Sequence, residues 1–242
     1  MTESEIEQFD QDGAVTFSGP FTDSHIDALG RIFDRVHEWD DYSRFEPELL
    51  DVFQHPFCEE VARQVLRADE VEFMGGVMRQ RKPRVEVQPE HLDVMLNKKS
   101  FEESPRQMPI SLLIWLTPVP PDRGPYMYRP GSHRQIAEYR DNAPLVIGNI
   151  KKEDMPNLHY ADLVPVLVES PGYVSVITTA CAHCPSIITG SSSRKVIFLS
   201  FQTKGVKFQS LDAYKEKANK IDKYRRAMRE RFRKDRQHLI PV

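Results

Sequence analysis

Cysteine is scarce in this chain: Cys58, Cys181 and Cys184 are the only three in 242 residues. An odd, sparse count excludes a disulfide framework and points to a reducing compartment, so a cytoplasmic protein is expected. Long apolar runs are missing as well. Ile110 to Leu116 is among the longest, and it is broken by Ser111. None approaches the roughly 20 residues that a membrane span needs. The opening segment, Met1-Thr2-Glu3-Ser4-Glu5, is acidic and lacks an apolar stretch, so no secretory leader is expected. Neither charge sign dominates. With 33 Lys and Arg against 36 Asp and Glu, the net charge is −3, and no overall field favours nucleic acid. Internal repeats and low-complexity tracts are absent. What remains, 40% hydrophobic and 29% charged, suits one soluble domain. A domain of this length buries roughly 70% of its unfolded surface.

The pattern along the chain changes once. Residues 3–10 read as a short helix and Ala14-Val15-Thr16-Phe17 as a strand. Thr22 or Asp23 caps a helix whose Ile26, Leu29, Ile32, Phe33 and Val36 form an apolar stripe. A second helix covers 56–67, with Phe57, Val61, Val65 and Leu66 on one face. Strands then take over: 71–80, 91–96, 109–117, 126–129, 165–168, 173–179, 182–188 and 194–202, separated by Pro, Gly, Asn and Ser turns. Helices followed by short strands fit a mainly β fold with flanking helices, a double-stranded β-helix or jelly roll of cupin-like form. Residues 97–107 and 135–164 read as long connections, natural lids over an internal site. Residues 212–236 read as one amphipathic helix with Tyr214, Ala218, Ile221, Met228 and Phe232 on its apolar side. The expected organisation is therefore a jelly-roll domain over 1–208 and a helical extension over 209–242 packed on it. Residues 215–236 hold eleven Lys and Arg against four Asp and Glu. A contact with an anionic surface is one reading. The other, preferred here, is a solvated basic face whose opposite stripe packs on the domain or on a twin subunit, giving a homo-oligomer.

The chemistry sits in His91-Leu92-Asp93, with His183 following 92 residues after His91 and Arg194 eleven residues after that. Two imidazoles and a carboxylate are the ligand set that holds non-heme Fe(II) with open positions for substrate and O₂. Residues i and i+2 share one face of a strand, so His91 and Asp93 converge without strain, and the third ligand must come from another strand. Arg194 opens the apolar run Val196-Ile197-Phe198-Leu199. A buried guanidinium there suits a dicarboxylate co-substrate. Cys181-Ala182-His183-Cys184 has two other readings. A zinc half-site lacks a second pair, and a redox Cys-x-x-Cys would open a helix, whereas this segment follows strand-like Val174 to Thr179. Buried structural thiols are the preferred reading.

Four segments together resemble the phytanoyl-CoA dioxygenase-like (PhyH) family of Fe(II)/2-oxoglutarate-dependent oxygenases. They are Phe9-Asp10-Gln11-Asp12-Gly13-Ala14-Val15, then His91-Leu92-Asp93, then Leu116 to Gly124 with Pro130-Gly131-Ser132-His133-Arg134, and last Pro171-Gly172-Tyr173-Val174 with His183 and Arg194. Two departures stand out. Tyr173 replaces a common Asp after Pro-Gly, and Cys184-Pro185 replaces Gly-Ser after the histidine. Neither replaced residue is a metal ligand in the family.

The resemblance implies Fe(II), 2-oxoglutarate and O₂ as cofactor and co-substrates. It implies His91, Asp93 and His183 as metal ligands and catalytic centre, and places His133 near the metal but not on it. Arg194 is the candidate 2-oxoglutarate anchor, with Lys195 and Arg129 next in line. Gln80 is a candidate for the metal-side carboxylate and Ser192 for the distal one, while Trp115 and Phe198 are candidate pocket walls. A carboxylate at Asp93 leaves no place for the halide that halogenating relatives bind, so hydroxylation or a related C–H oxidation of a small molecule is expected. Arg79, Arg81, Lys82 and Arg84 precede the metal strand, and Lys98, Lys99 and Arg106 follow it. If they face inward the substrate is anionic; otherwise they form a solvated rim. Two other classes stay open: a cupin-like iron enzyme that does not use 2-oxoglutarate, and a non-catalytic jelly roll that binds through its basic tail.

Overall fold

The computed structural model describes residues 1–35, 45–83, 89–93, 109–139, 150–152, 155, 157–205 and 215–240. The chain opens with α1 (Glu3–Asp12), started by a capping box in which Thr2 and Glu5 satisfy each other's backbone N–H. Gly13 ends it with a left-handed backbone, φ 82°, and its N–H donates to Phe9 O. A Cβ at Gly13 would lie 2.5 Å from His133 Nδ1, so this turn needs glycine for both its angle and its space. After β1 (Ala14–Ser18) come α2 (Asp23–Arg35), α3 (Pro47–Phe53) and α4 (Pro56–Leu66). Two of these were expected. The short α3, started by Pro47, lacks the length for a helical stripe to show in sequence.

The strands follow as β2 (Val71–Arg81), β3 (His91–Leu92), β4 (Ile110–Trp115) and β5 (Tyr126–Tyr128). Next are α5 (Ser132–Tyr139), β6 (Ile150–Lys151), β7 (Val164–Val166), β8 (Tyr173–Thr178), β9 (His183–Pro185) and β10 (Arg194–Thr203). They form two five-stranded sheets, ordered β1-β8-β4-β10-β2 and β6-β3-β9-β5-β7, with every pairing antiparallel. This is a jelly roll with flanking helices, as expected. Strand alternation divides the core. On β10, Ile197, Leu199 and Phe201 join Leu29, Ile32, Leu49, Phe53 and Val61 of the helices. The alternate residue Val196 joins Trp115, Tyr126, Tyr128 and Val166, drawn from both sheets. One face of the first sheet is thus sealed by helices, and the other faces the second sheet across an aromatic-lined interior.

Three expectations change. The segment after the Pro-Gly-Ser-His turn is not an open loop at its start: Ser132 begins α5, whose Ile136 packs on Leu92, Ala180 and Ala182. Later in that connection β6 pairs with β3, while its residues 140–149, 153, 154 and 156 and the expected lid 97–107 lie outside the described residues, as do Val36, Arg84, Lys98, Lys99, Arg106 and Tyr214. The metal strand β3 also ends at Leu92, leaving Asp93 just past it; residues 94–96 of the expected strand lie outside the described residues. Finally, the C-terminal helix α6 (Lys215–Arg231) stops at Arg231, and a 3-10 helix (Lys234–Leu239) follows. Met228, Phe232, Leu239 and Ile240 are buried in the same cluster as the helices and the first sheet. Arg236 is tied to Glu59 of α4 and to the Gln54 carbonyl. The described part of the apolar stripe, Met228 and Phe232, is therefore occupied within its own chain, which gives no support to a dimer built on it; the side chains of Ala218 and Ile221 lie outside the described residues. Among the described residues, no helix is long and apolar enough to cross a membrane.

Candidate metal centre

His91 and His183 are 92 residues apart in sequence yet direct register partners, because β3 and β9 are neighbours in the second sheet. Their rings lie 4.4 Å apart. Asp93, just past β3, places one carboxylate oxygen 3.4 Å from His91 Nε2 and the other 3.4 Å from His183 Nε2. One donor atom from each residue lies within 4.8 Å of the others, and among the described residues no other trio of His, Cys, Asp and Glu does this. The donors are also aimed. His91 Nδ1 bonds the Pro89 carbonyl and His183 Nδ1 the Cys181 carbonyl, each at 2.9 Å. Such bonds fix the ring and leave Nε2 as the free donor, an arrangement common for histidine ligands of metals.

The electrostatics agree. Burial pushes the Asp93 carboxyl up, but hydrogen bonds and charge from His183 and His91 outweigh it and hold it far below the usual carboxylate range. The Asp93 hydrogen bond in turn raises His91. His183 is 3% exposed and Asp93 45%, so the trio opens toward one side. Mixed N and O donors with an open side fit a divalent transition metal such as Fe(II).

Arg194 starts β10 on the interior side and is 2% exposed. Its Nη1 donates to the Gly124 carbonyl, and its guanidinium lies 5.6 Å from the Trp115 ring centre. Its Nε is buried without a partner, and among the described residues no carboxylate pairs with it. Burial, with Arg81 and Arg79 adding repulsion, pushes it down to about 9. It remains a cation at neutral pH. A buried, unpaired guanidinium is costly unless an anion completes it, so this geometry suits a carboxylate ligand. The two reserve anchors are excluded. Lys195 faces the helices, with Nζ on the Gly30 carbonyl and over the Phe33 ring. Arg129 is held in two bonds by Glu90.

Two expected helpers lie elsewhere. Gln80 is the register partner of Lys195 and bonds Ser193 Oγ at 3.1 Å, on the helix-facing side and away from Arg194. Its side follows from the strict alternation along β2, a register that the sequence alone leaves open. Ser192 is exposed in the turn before β10, and among the described residues it has no bond to the site. Trp115 and Phe198 do share the interior face with Arg194.

Tyr126 was missed in the sequence. It stacks on His183 with ring centres 4.7 Å apart and 20° between planes. Burial, with Asp93 and two thiols adding, pushes its hydroxyl well above the ordinary range. Its only sequence signal is its alternation with Tyr128. Ser132 was also missed: fully buried, it accepts from Ala182 N–H and meets Cys181 Sγ at 3.3 Å. It therefore clasps the segment that leads into His183. His133 lies off the trio, with Nε2 on the Asp10 carbonyl at the end of α1.

The cysteines are all free and buried. Burial pushes Cys58 and Cys181 up to about 12, and Cys184 upward too. A redox pair needs a thiolate near neutral pH, and none of these supplies one.

Residues 1–194 match the family model for phytanoyl-CoA dioxygenase (PhyH). The chain belongs to the phytanoyl-CoA dioxygenase family of Fe(II)/2-oxoglutarate-dependent oxygenases. Comparison with curated proteins finds no match. Among solved structures, the chain resembles the non-heme alpha ketoglutarate dependent carbocyclase SnoK from nogalamycin biosynthesis (TM-score 0.68, 16% identity, 90% of each chain). It also resembles HygX from Streptomyces hygroscopicus with nickel and 2-oxoglutarate bound (TM-score 0.64, 17% identity, 88% of this chain and 91% of that one). A third is the epimerase SnoN of the same nogalamycin pathway (TM-score 0.60, 14% identity, 83% of this chain and 82% of that one). At these identities the likeness is one of fold.

Proposed function

We propose that this family member is an Fe(II)- and 2-oxoglutarate-dependent dioxygenase that oxidises a C–H bond of a small molecule, by hydroxylation. The observation that carries the reading is one interior holding two features: an aimed His91–Asp93–His183 trio and a buried guanidinium without an anion, Arg194. In this reading the trio holds the metal and Arg194 grips the distal carboxylate of 2-oxoglutarate. When bound, the iron and its keto acid supply the O₂-dependent removal of a substrate hydrogen, with succinate and CO₂ released. The chain's own residues do the rest. Pro89 and Cys181 carbonyls hold the ligand rings, Tyr126 covers one face of His183, and Trp115 and Phe198 keep water from the interior wall. Asp93 fills the place where a halide would have to sit, which favours hydroxylation over halogenation.

A second reading, oxidation without insertion of oxygen, is favoured by the carbocyclase and epimerase among the fold neighbours. The test is release of labelled CO₂ and succinate from 2-oxoglutarate, dependent on Fe(II) and O₂, with the mass of the substrate followed. A gain of one oxygen supports hydroxylation. Loss of two hydrogens or an unchanged mass selects the second reading. No decarboxylation with any substrate contradicts both.

A further inference from the structure

The interior carries more positive charge than the reading above uses. On β2, Arg79 and Arg81 alternate onto the face that looks away from the helices, since their register partners are Val196 and Arg194. Between them, Gln80 faces the opposite way, as Lys195 does. Arg79 lies over Phe198, 5.2 Å from the ring centre, which holds its stem against the interior wall and leaves the charged head exposed. Among the described residues it has no ion pair and no hydrogen bond. Its positive charge acts on His91, Tyr126 and Arg194 alike, as its place on the interior face of β2 allows. Among the described residues, the carboxylate facing this space is Asp93, and it is already held by two histidines. A cation in this position is a recognition group awaiting a negative partner.

We infer that Arg79 is a specificity-determining residue that binds an anionic group, a carboxylate or a phosphate, on the substrate. The inference rests on the oxygenase reading and names the substrate class for that same site. In this arrangement an anion on Arg79 tethers the molecule at the β2 edge, with its uncharged part over Phe198 and toward the trio.

The experiment uses the intact protein, loaded anaerobically with Fe(II) and 2-oxoglutarate. Calorimetry then measures the binding of phenyl phosphate and 3-phenylpropionate, against neutral benzyl alcohol and 3-phenylpropionamide. The expected result is that at least one anionic probe binds roughly ten- to a hundredfold more tightly than its neutral counterpart, the range of one charge-assisted hydrogen bond. That preference should be lost in Arg79→Met, restored in Arg79→Lys and reversed toward phenethylamine in Arg79→Glu. Equal binding of anionic and neutral probes, binding of neither anion, or an anion preference that survives Arg79→Met overturns the inference. The visible charge-transfer band of the loaded wild-type protein separates the two failures. A band without anion preference refutes only the role of Arg79, whereas no band refutes the oxygenase reading and this inference with it.

Discussion

Four residues define what the interior can do, and they were visible in sequence for two different reasons. His91 and Asp93 share a short extended segment, and His183 completes a ligand set that ordinary core histidines rarely form. Arg194 was visible only by its place before an apolar strand. Its burial turns it from a candidate into the one guanidinium among the described residues that is 2% exposed and lacks an anion. Replacing it with alanine should weaken 2-oxoglutarate binding on the order of a hundredfold or more, the effect of removing one partner of a buried charge pair. Iron affinity should stay as it was. Equilibrium titration of each ligand separately checks this, and unchanged 2-oxoglutarate affinity would move the anchor elsewhere. Gly13 makes a different kind of prediction. Alanine there takes on a left-handed backbone and a Cβ pressed against His133. The left-handed angle alone costs about 1–2 kcal/mol, and the contact adds to it. A denaturant midpoint equal to wild type would show that the α1 turn relaxes freely.

Elements were legible where their period was long. The stripe of α2 and the apolar run of β10 could be read directly, because burial on one face imposes a repeat. β3 and β9 could not be delimited, since strands of two or three residues have no period of their own. Their pairing is fixed by the second sheet as a whole. The same limit explains Gln80. Sequence placed it near the end of the strand that precedes the metal strand, but a one-residue register decides which face it meets, and that register is set by Lys195 on β10. Tyr126 and Ser132 were hidden for the converse reason: their roles exist only through contacts with β9 and the turn before it. The C-terminal helix was expected over 212–236 and ends at Arg231, and sequence left open what its stripe covers. Met228 is fully buried among helices and sheet. Met228→Ala should therefore cost about 2–5 kcal/mol and lower the melting temperature on the order of 10 °C. A thermal scan that showed no shift would mean that the helix is dispensable to the fold.

At the scale of the whole molecule, the jelly roll separates two jobs. One sheet is buttressed by helices and carries Arg79 and Arg194 on its other face; the second sheet brings His91 and His183 into register. The site lies between them because each sheet contributes what the other lacks, cations from one and metal donors from the other. The fold could be foreseen from helices followed by short strands, and the family from the order of its four segments. The substrate could not, because it depends on which side chains face inward. The central claim is that one interior joins metal and keto acid. It is tested most directly by adding Fe(II) and then 2-oxoglutarate to the intact protein without oxygen and recording the visible spectrum. A metal-to-ligand charge-transfer band should appear in the wild type and be absent in His183→Ala. No band in the wild type, or an undiminished band in His183→Ala, would contradict the account.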